Sequence, residues 1–310
     1  MSMQNFLNYD ISADIQPHFD VPAVMKQCGR LKETQFIPLS FPKSVEEEER
    51  GIQAQPITTA SLSFERNRSQ VREALQAILA RIFRDFNLPT SNGADLGSGA
   101  TGAMVEELLS PIISKKSWIQ VETNPAAIAE NRRRHPSSAV MQGSYLRLEE
   151  TLHLRDKLDI VTGLSSFDAT HFIEQAVEQA RIALKKNGYF LHMQDVRPGL
   201  GVCFRELEAM GFRPPYKVDI LQSNVGIQEP LVYTLPDGRK MSVGELFRRN
   251  LGRAIEGNSG MELVFNKWVT SRKALPAGTP GRAYFQNVLL SGFQVPLEEV
   301  SAVVTIARKK

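Results

Sequence analysis

The sequence predicts an α/β protein built on an open, mostly parallel sheet of seven strands with helices on both faces. Short apolar runs alternate with helix-period segments between residues 63 and 220, which is typical of parallel βαβ units. A glycine-rich turn, Gly97-Ser98-Gly99-Ala100-Thr101-Gly102, follows the first predicted strand and precedes a helical segment. A β-branched run at residues 303–306 predicts the last strand.

The composition is that of an ordinary globular chain. Its 310 residues are 42% hydrophobic and 23% charged, and the formal net charge is +3. This balance argues against large-scale disorder and against a dedicated nucleic-acid binder. Cys28 and Cys203 lie far apart and fit neither a disulfide framework nor a metal site. Neither a secretory signal nor an apolar run of about 18 residues is visible, so we expect a cytoplasmic protein without a membrane span.

The N-terminal residues show no sustained period, and we expect them to pack as an extension or cap on the core. The charge run Glu46-Glu47-Glu48-Glu49-Arg50 predicts a solvated loop or helix face. From about Ser63 to Phe86, apolar residues recur at helical spacing, which predicts a long amphipathic helix. The turn residues from Leu88 to Gly93 end it.

The remaining elements follow from periodicity and from capping residues. Strands are predicted at 117–121, 138–141, 158–162, 189–193 and 216–220, and a hairpin at 231–243. Helices are predicted at 103–113, 125–134, 170–186, 200–210 and 243–255. Asn124 is the expected N-cap of the second of these helices, and Gly188 is the expected C′ residue of the third.

Candidate ligand-binding residues stand where the parallel strands end, because open α/β sheets bind ligands beyond that edge. Asp95 and Gly97 end or follow the first strand. Glu122 ends the second, about 20 residues past the glycine turn, where an acid typically binds ribose hydroxyls. Asp95 separates the candidate cofactors. A carboxylate before the turn repels an anionic pyrophosphate but attracts an ammonium or sulfonium group.

At these residues the chain resembles the class I S-adenosylmethionine-dependent methyltransferases. The segment 95–102 resembles their first motif, with an acid and an apolar residue before the glycines, and Glu122 matches their ribose-binding acid. The segment 159–164 resembles the fourth-strand motif, and 186–191 resembles the turn into the fifth strand. The resemblance covers about residues 63 to 220 and the last strand.

The resemblance implies a Rossmann-like methyltransferase core that binds S-adenosyl-L-methionine. The cofactor contacts that it implies are Asp95, Gly97, Ser98, Gly99, Glu122, Thr123, Ser144, Gly163 and Leu164. Ser144 stands where the family often has an acid that contacts the adenine amino group. The Asn-Pro-Pro-aromatic motif is absent after the fourth strand, which argues against a DNA-adenine or glutamine-side-chain acceptor.

The implied activity is in-line transfer of a methyl group to a small-molecule acceptor, in which positioning does most of the work. His171, at the start of a helix, and Asp195, just past the fifth strand, are the candidate general bases, and a purely structural role is the alternative for each. His192 is expected to be a buried core histidine. The cluster 132–135 is expected to lie at a helix C-terminus, where the helix dipole favours positive charge.

The expected organisation is an extension or cap at 1–62, a cofactor-binding core at 63–220, an insertion at 221–299 and the last core strand at 300–310. In a family member the sixth and seventh strands form an antiparallel pair joined by a short loop, so 221–299 is interpreted as a long insertion. It is either a lid over an acceptor pocket or a homodimer surface. An NAD-dependent oxidoreductase and a non-catalytic cofactor- or partner-binding protein remain alternative functions.

Overall fold

A computed structural model describes residues 7–8, 42–54, 57, 72–164, 166–167, 170–194, 232–234, 240–271 and 300–310. The strands are β1 (Leu7–Asn8), β2 (Gly93–Leu96), β3 (Trp118–Glu122), β4 (Ala139–Gln142), β5 (Leu158–Leu164), β6 (Leu184–Gln194), β7 (Val232–Thr234), β8 (Lys240–Ser242), β9 (Met261–Ser271) and β10 (Val300–Lys309). The helices are α1 (Val45–Gln53), α2 (Arg72–Asp85), α3 (Pro125–Arg134), α4 (Leu148–Leu152), α5 (Ile173–Ala183) and α6 (Val243–Glu256). Among these residues no helix has the length and apolarity needed to cross a membrane.

One sheet contains every strand except β7 and β8, which pair with each other as predicted. Its strand order is β1-β9-β10-β6-β5-β2-β3-β4. The five strands from β6 to β4 in that order are parallel. Strand β10 is antiparallel to both of its neighbours, so β9 runs parallel to these five strands. The predicted seven-stranded, mostly parallel sheet is confirmed, and β1 adds two residues at its edge.

Strand β9 pairs with the last strand, β10, where the sixth predicted strand was expected, and the sequence-based prediction did not identify β9. The predicted strand 216–220 lies outside the described residues, as does the predicted helix 200–210. Strand β9 lies within the segment 221–299 that was interpreted as an insertion, and it pairs with β10 from Met261 opposite Lys309 to Ser271 opposite Val300. The long connection therefore precedes the sixth strand. Because β10 lies between β6 and β9, its backbone has a pairing partner on each side.

Helices cover both faces of the sheet, as predicted. Neighbouring residues of a strand point to opposite faces, so Leu191 and Phe190 of β6 belong to two separate apolar clusters. On one face α2 packs against the sheet. On the other face α5 and α6 pack against it. The residues that these helices bury include Leu75, Ile78, Leu79, Ile82, Ile173, Ala176, Val177, Ala180, Leu251 and Ile255.

Two helix predictions are wrong in detail. Helix α5 ends at Ala183, and Gly188 lies inside β6 rather than at a helix C′ position. Residues before β5 satisfy the last helical carbonyls, since Asp156 N–H donates to Ile182 O and Lys157 N–H to Ala183 O. No glycine cap is needed there.

The segment after the glycine turn is also shorter than predicted. In place of the predicted helix 103–113 there is a single π-helical turn, Met104–Leu108. The N–H of Leu109 donates to the carbonyl of Met104 at 2.8 Å, which is the i to i+5 bond of a π turn. The prediction for α3 is confirmed: the Asn124 side chain caps the backbone N–H groups of Ala126 and Ala127, at 2.8 and 3.2 Å.

Candidate cofactor site

The glycine turn follows β2 at the carboxyl edge of the sheet. Asp95 is 1% exposed, and its Oδ1 accepts a hydrogen bond of 3.1 Å from Thr162 Oγ1 on the neighbouring strand β5. Gly97, Gly99 and Gly102 have φ angles of 71°, 67° and 60°. These left-handed conformations favour glycine, because a Cβ atom would clash with the backbone.

Ser166 fills the space beside two glycines, Gly97 of the turn and Gly163 of β5. A Cβ atom on Gly97 would lie 2.6 Å from Cβ of Ser166, and one on Gly163 would lie 2.6 Å from Ser166 Oγ. Gly97 follows β2 and Gly163 lies near the end of β5, so the Ser166 side chain lies between the ends of these two strands. The sequence-based list of site residues did not include it.

The first three backbone N–H groups of the turn are used within the protein. Those of Gly97 and Ser98 donate to the carbonyl of Val121 at 2.9 and 3.1 Å. That of Gly99 donates to Glu122 Oε2 at 2.8 Å. These contacts fasten the turn to the end of β3, and they direct these donors toward the protein instead of toward a ligand.

Glu122 is almost completely buried at the end of β3. Its Oε1 accepts hydrogen bonds from the backbone N–H groups of Thr123 and Asn124 at 2.8 and 2.9 Å. With the bond from Gly99, three of the roughly four lone-pair positions of the carboxylate are used. Among the described residues no further donor to Oε2 is found, which leaves one position on that oxygen.

The other predicted contacts lie around the same edge, with different environments. Thr123 donates its hydroxyl to the carbonyl of Gly143 at 3.1 Å, beside the end of β4. Ser144 is buried, and its Oγ accepts the N–H of Leu146 at 3.1 Å. Leu164 is buried in the apolar core, where it pairs with Met193 of β6.

A network of hydrogen-bonded polar side chains holds the glycine turn. The Asn131 side chain donates to the carbonyl of Gly99 at 3.1 Å and to Gln120 Oε1 at 2.9 Å. Gln120 in turn donates to Glu106 Oε1 at 2.8 Å. Burial opposes ionisation of Glu106, but hydrogen bonds, first among them that from Lys115, outweigh burial and lower its pKa. Helix α3 and the π turn thereby hold the glycine turn in place.

Helix α1 lies against the same edge, and its glutamates are not all solvated. Glu48 and Glu49 are buried, which corrects the prediction for the charge run. Glu49 forms a two-pronged ion pair with Arg147, and the carbonyl of Ile52 accepts a hydrogen bond of 3.0 Å from Asn124 Nδ2. Glu48, Glu49 and Ile52 share one helical face, and only the tertiary structure places partners opposite that face.

His171 contacts α1 from the segment that precedes α5. Glu48 Oε2 accepts the backbone N–H of His171 at 3.0 Å and lies 3.5 Å from its Nδ1. Glu48 Oε1 is buried and has no hydrogen-bond partner among the described residues. The residues that α1 contacts follow β3, β4 and β5, so the helix bridges loops on both sides of β2.

His192 and Asp195 are the other titratable residues that the sequence analysis considered, and the structure describes only His192. His192 is fully buried in β6, with its ring centroid 5.4 Å from that of Phe167, and burial lowers its pKa to about 3. It is the core histidine that was predicted. Asp195 lies outside the described residues. The basic cluster lies at the C-terminus of α3 as predicted, where Arg133 and Arg134 pair with Glu130.

The direction of the last two strands decides the fold family. The resemblance implies an antiparallel pair of sixth and seventh strands, and β9 and β10 form that pair. Asp95 near the end of β2 and Glu122 at the end of β3 stand beside a left-handed glycine turn. The chain has the class I methyltransferase fold. No protein-family model and no curated protein matches the sequence.

Solved methyltransferase structures resemble this fold at low sequence identity. A putative sarcosine dimethylglycine methyltransferase from Galdieria sulphuraria is 14% identical, with 77% of this chain and 85% of that chain covered and a TM-score of 0.42. A possible histamine N-methyltransferase from Thermotoga maritima is 18% identical, with coverages of 81% and 95% and a TM-score of 0.40. A geranyl diphosphate methyltransferase in complex with geranyl diphosphate and sinefungin is 12% identical, with 72% of each chain covered and a TM-score of 0.40.

Proposed function

We propose that this protein is an S-adenosylmethionine-dependent methyltransferase that acts on a small molecule. The observation that carries the proposal is the pair of buried carboxylates at the glycine turn. Asp95 lies just before the turn, and Glu122 accepts a hydrogen bond from its third residue, Gly99. A cofactor with a sulfonium and an ammonium group is attracted by negative charge at this position.

The same arrangement disfavours a dinucleotide. A pyrophosphate on a glycine loop needs backbone N–H donors that point at it. The N–H groups of Gly97, Ser98 and Gly99 already donate to Val121 and Glu122. A pyrophosphate there would also approach the Glu122 carboxylate, which adds repulsion. The NAD-dependent alternative is therefore less favourable than the methyltransferase.

The positions of the contacts fit the parts of S-adenosylmethionine in order across the sheet. Ser144 follows β4 and is proposed to face the adenine, and Glu122 at β3 is proposed to bind a ribose hydroxyl through the open position on Oε2. Asp95 at β2 would then attract the cationic end of the cofactor. When bound, the cofactor supplies a sulfonium-activated methyl group for in-line displacement. Thr123, Gly163 and the backbone of Leu164 are proposed to shape the walls of the site.

For the methyl acceptor, we propose that His171 takes the proton that the attacking group loses. Glu48 is proposed to orient His171. The hydrogen bond of 3.0 Å from the His171 backbone N–H to Glu48 Oε2, with the ring Nδ1 3.5 Å from the same oxygen, supports this role. Glu48 Oε1 has no hydrogen-bond partner among the described residues, and we propose that a donor on the acceptor supplies one. Asp195, which follows β6, remains the second candidate base.

The remaining expectations are also proposals. A cytoplasmic location is retained. Residues 1–62 are proposed to form the cap to which α1 belongs, and the part of 221–299 that precedes β9 is proposed to be a lid or a homodimer surface. Light scattering from the purified protein measures its mass, and a monomer at micromolar concentration would remove the homodimer interpretation.

Calorimetric titration with S-adenosylhomocysteine and with NAD tests the proposed cofactor. We expect S-adenosylhomocysteine to bind and NAD not to bind, and binding of NAD alone would contradict the proposal. Methyl transfer from labelled cofactor to a panel of metabolites then tests catalysis. Tight cofactor binding without transfer to any member of a broad panel would favour a non-catalytic cofactor-binding protein.

A further inference from the structure

Helix α1 carries two neighbouring buried carboxylates, and only one of them has a lysine or arginine beside it. Glu49 is 4% exposed and forms the ion pair with Arg147. Glu48 is 6% exposed, and within the described part of the chain its polar contacts are with His171 alone. Its second oxygen, Oε1, is shielded from solvent and has no hydrogen-bond partner among the described residues.

The positive charge of Arg147 does not offset that of Glu48. Besides Glu49, its guanidinium lies 3.4 Å from Glu46 Oε1 and 3.9 Å from Glu150 Oε2. One positive charge therefore faces three carboxylates, which leaves negative charge in excess at this part of α1. A buried carboxylate without a hydrogen-bonded cation lowers the stability of the folded state. A cationic ligand that binds there offsets this cost.

The contacts of α1 hold Glu48 at the edge of the sheet where the cofactor is proposed to bind. Asn124, which follows β3, donates to the carbonyl of Ile52, and Arg147 follows β4. His171, which follows β5, donates its backbone N–H to Glu48 Oε2 at 3.0 Å. Glu48 is thereby fixed against the segment after β5, and a methyl acceptor has to reach this same edge of the sheet.

We propose that the methyl acceptor is an amine, which enters as an ammonium ion and binds the carboxylate of Glu48; this inference rests on the proposed function. An ammonium group supplies both the hydrogen-bond donor that Oε1 lacks and the missing positive charge. Charge-assisted hydrogen bonds of this kind are stronger than those between neutral groups. An alcohol supplies a donor without the charge, and a carboxylic acid ionised at neutral pH is repelled.

The reaction of an ammonium acceptor balances with the residues at this place. Its nitrogen has no lone pair, so it first gives one proton to the His171 ring, and Glu48 Oε2 at 3.5 Å from Nδ1 stabilises the positive ring. The nitrogen lone pair then forms a bond to the methyl carbon while the bond from that carbon to sulfur breaks and its electron pair stays on sulfur. The products are the methylated ammonium ion and S-adenosylhomocysteine, and His171 returns its proton to solvent.

Methyl transfer from labelled cofactor to three matched sets of small molecules tests the acceptor class. The sets share the same carbon skeletons and end in an amine, an alcohol or a carboxylic acid. We expect transfer to members of the amine set only. Transfer to the alcohols or the acids, or to none of the three sets, would overturn the inference. If the wild-type protein does not bind S-adenosylhomocysteine, the proposed function itself fails.

Glu48→Gln tests the residue, because it removes the charge and keeps an oxygen for the His171 backbone N–H. We expect the KM for the reactive amine to rise about 10-fold or more, since a charge-assisted contact is lost. The Kd for S-adenosylhomocysteine should stay unchanged. The Tm of the ligand-free variant should be unchanged or higher, because a buried charge without a lysine or arginine partner is removed.

Glu46→Gln is the matched control, because it removes one carboxylate charge from the same helix at a side chain that is 60% exposed. The KM should stay within about 2-fold, since exposed ion pairs contribute little. An equal rise in KM for the two variants, or an unchanged KM in Glu48→Gln, would overturn the inference. A lower Tm with unchanged KM would do the same, since Glu48 would then serve the fold.

Discussion

The carboxylate of Glu122 accepts a hydrogen bond of 2.8 Å from the backbone N–H of Gly99. The proposed ribose acid therefore also holds the glycine turn in its conformation. The proposed cofactor contact and the conformation of the turn depend on the same side chain, so we expect a change at Glu122 to affect both.

Glu122→Gln is expected to reduce both stability and cofactor affinity. A neutral amide has one acceptor oxygen, so it cannot accept from Gly99 on one side and from Thr123 and Asn124 on the other. We expect a loss of about 1–3 kcal/mol in the free energy of unfolding and a Kd for S-adenosylhomocysteine that rises at least about 10-fold. Urea unfolding and calorimetry measure these changes. Wild-type stability in the variant would show that Glu122 does not hold the turn.

Asp95→Asn is expected to weaken cofactor binding and leave the fold intact. The amide keeps an oxygen for Thr162 Oγ1 but removes the negative charge. The Kd for S-adenosylhomocysteine should rise about 10-fold or more, because contacts between charged groups contribute about 1.5–3 kcal/mol. Asp85→Asn is the control, since Asp85 pairs with Arg81 on the surface of α2. Retained affinity in Asp95→Asn would refute the assignment of Asp95.

Gly97→Ala is expected to destabilise the protein for two separable reasons. The φ of 71° strains any residue with a Cβ atom, and the new atom would meet Cβ of Ser166. We expect a loss of about 1–3 kcal/mol from the backbone strain alone. The double variant Gly97→Ala/Ser166→Gly should recover the steric part only. Full recovery in the double variant would show that the left-handed conformation is not required.

Glu49→Ala is expected to loosen α1 from the sheet. It removes the buried partner of Arg147, whereas Gln53→Ala changes only an exposed side chain on the same helix. Hydrogen exchange of the backbone amides in α1 should become roughly 10-fold faster in the first variant and stay unchanged in the second. Equal exchange in the two variants would mean that the ion pair does not hold α1.

His192 is expected to make stability depend on pH between about 6.5 and 3. Its folded-state pKa of about 3 lies below the unfolded value, so only the unfolded chain takes up a proton in this window. Its contribution to stability is therefore complete above pH 6.5 and is lost as pH falls, by up to about 1.4 kcal/mol per pH unit. Urea unfolding at pH 7, 6 and 5 measures the slope, and His192→Phe should flatten it. An identical slope in the two proteins would contradict this assignment.

Much of the fold and part of the site follow from local sequence signals. Strand periodicity located β3, β4, β5 and β6, and the Asn-Pro pair located the start of α3. The glycine turn was predicted because left-handed conformations select glycine almost independently of the rest of the chain. The acids at the ends of the neighbouring strands β2 and β3 were predicted at the edge where we propose that the cofactor binds.

The errors concern residues whose environment is set by distant parts of the chain. Residues 257–296 mix aromatic residues with turn residues, so no clear local pattern marked β9 as a strand, and only the tertiary structure places it beside β10. Gly188 failed as a helix cap because the residues before β5 satisfy the end of α5 instead. The run of glutamates was interpreted as solvated, since nothing nearby in the sequence indicates that Arg147 and His171 lie opposite Glu49 and Glu48.

The sequence by itself determined the alternation of strands and helices, the glycine turn and the acids that flank it, because these depend on backbone conformation and on residues close together in the chain. The tertiary structure alone decided that Glu122 holds Gly99, that Ser166 lies between Gly97 and Gly163, and that α1 spans the same edge. Such contacts depend on strand order and on which side chains meet across it, and local periodicity does not contain that information.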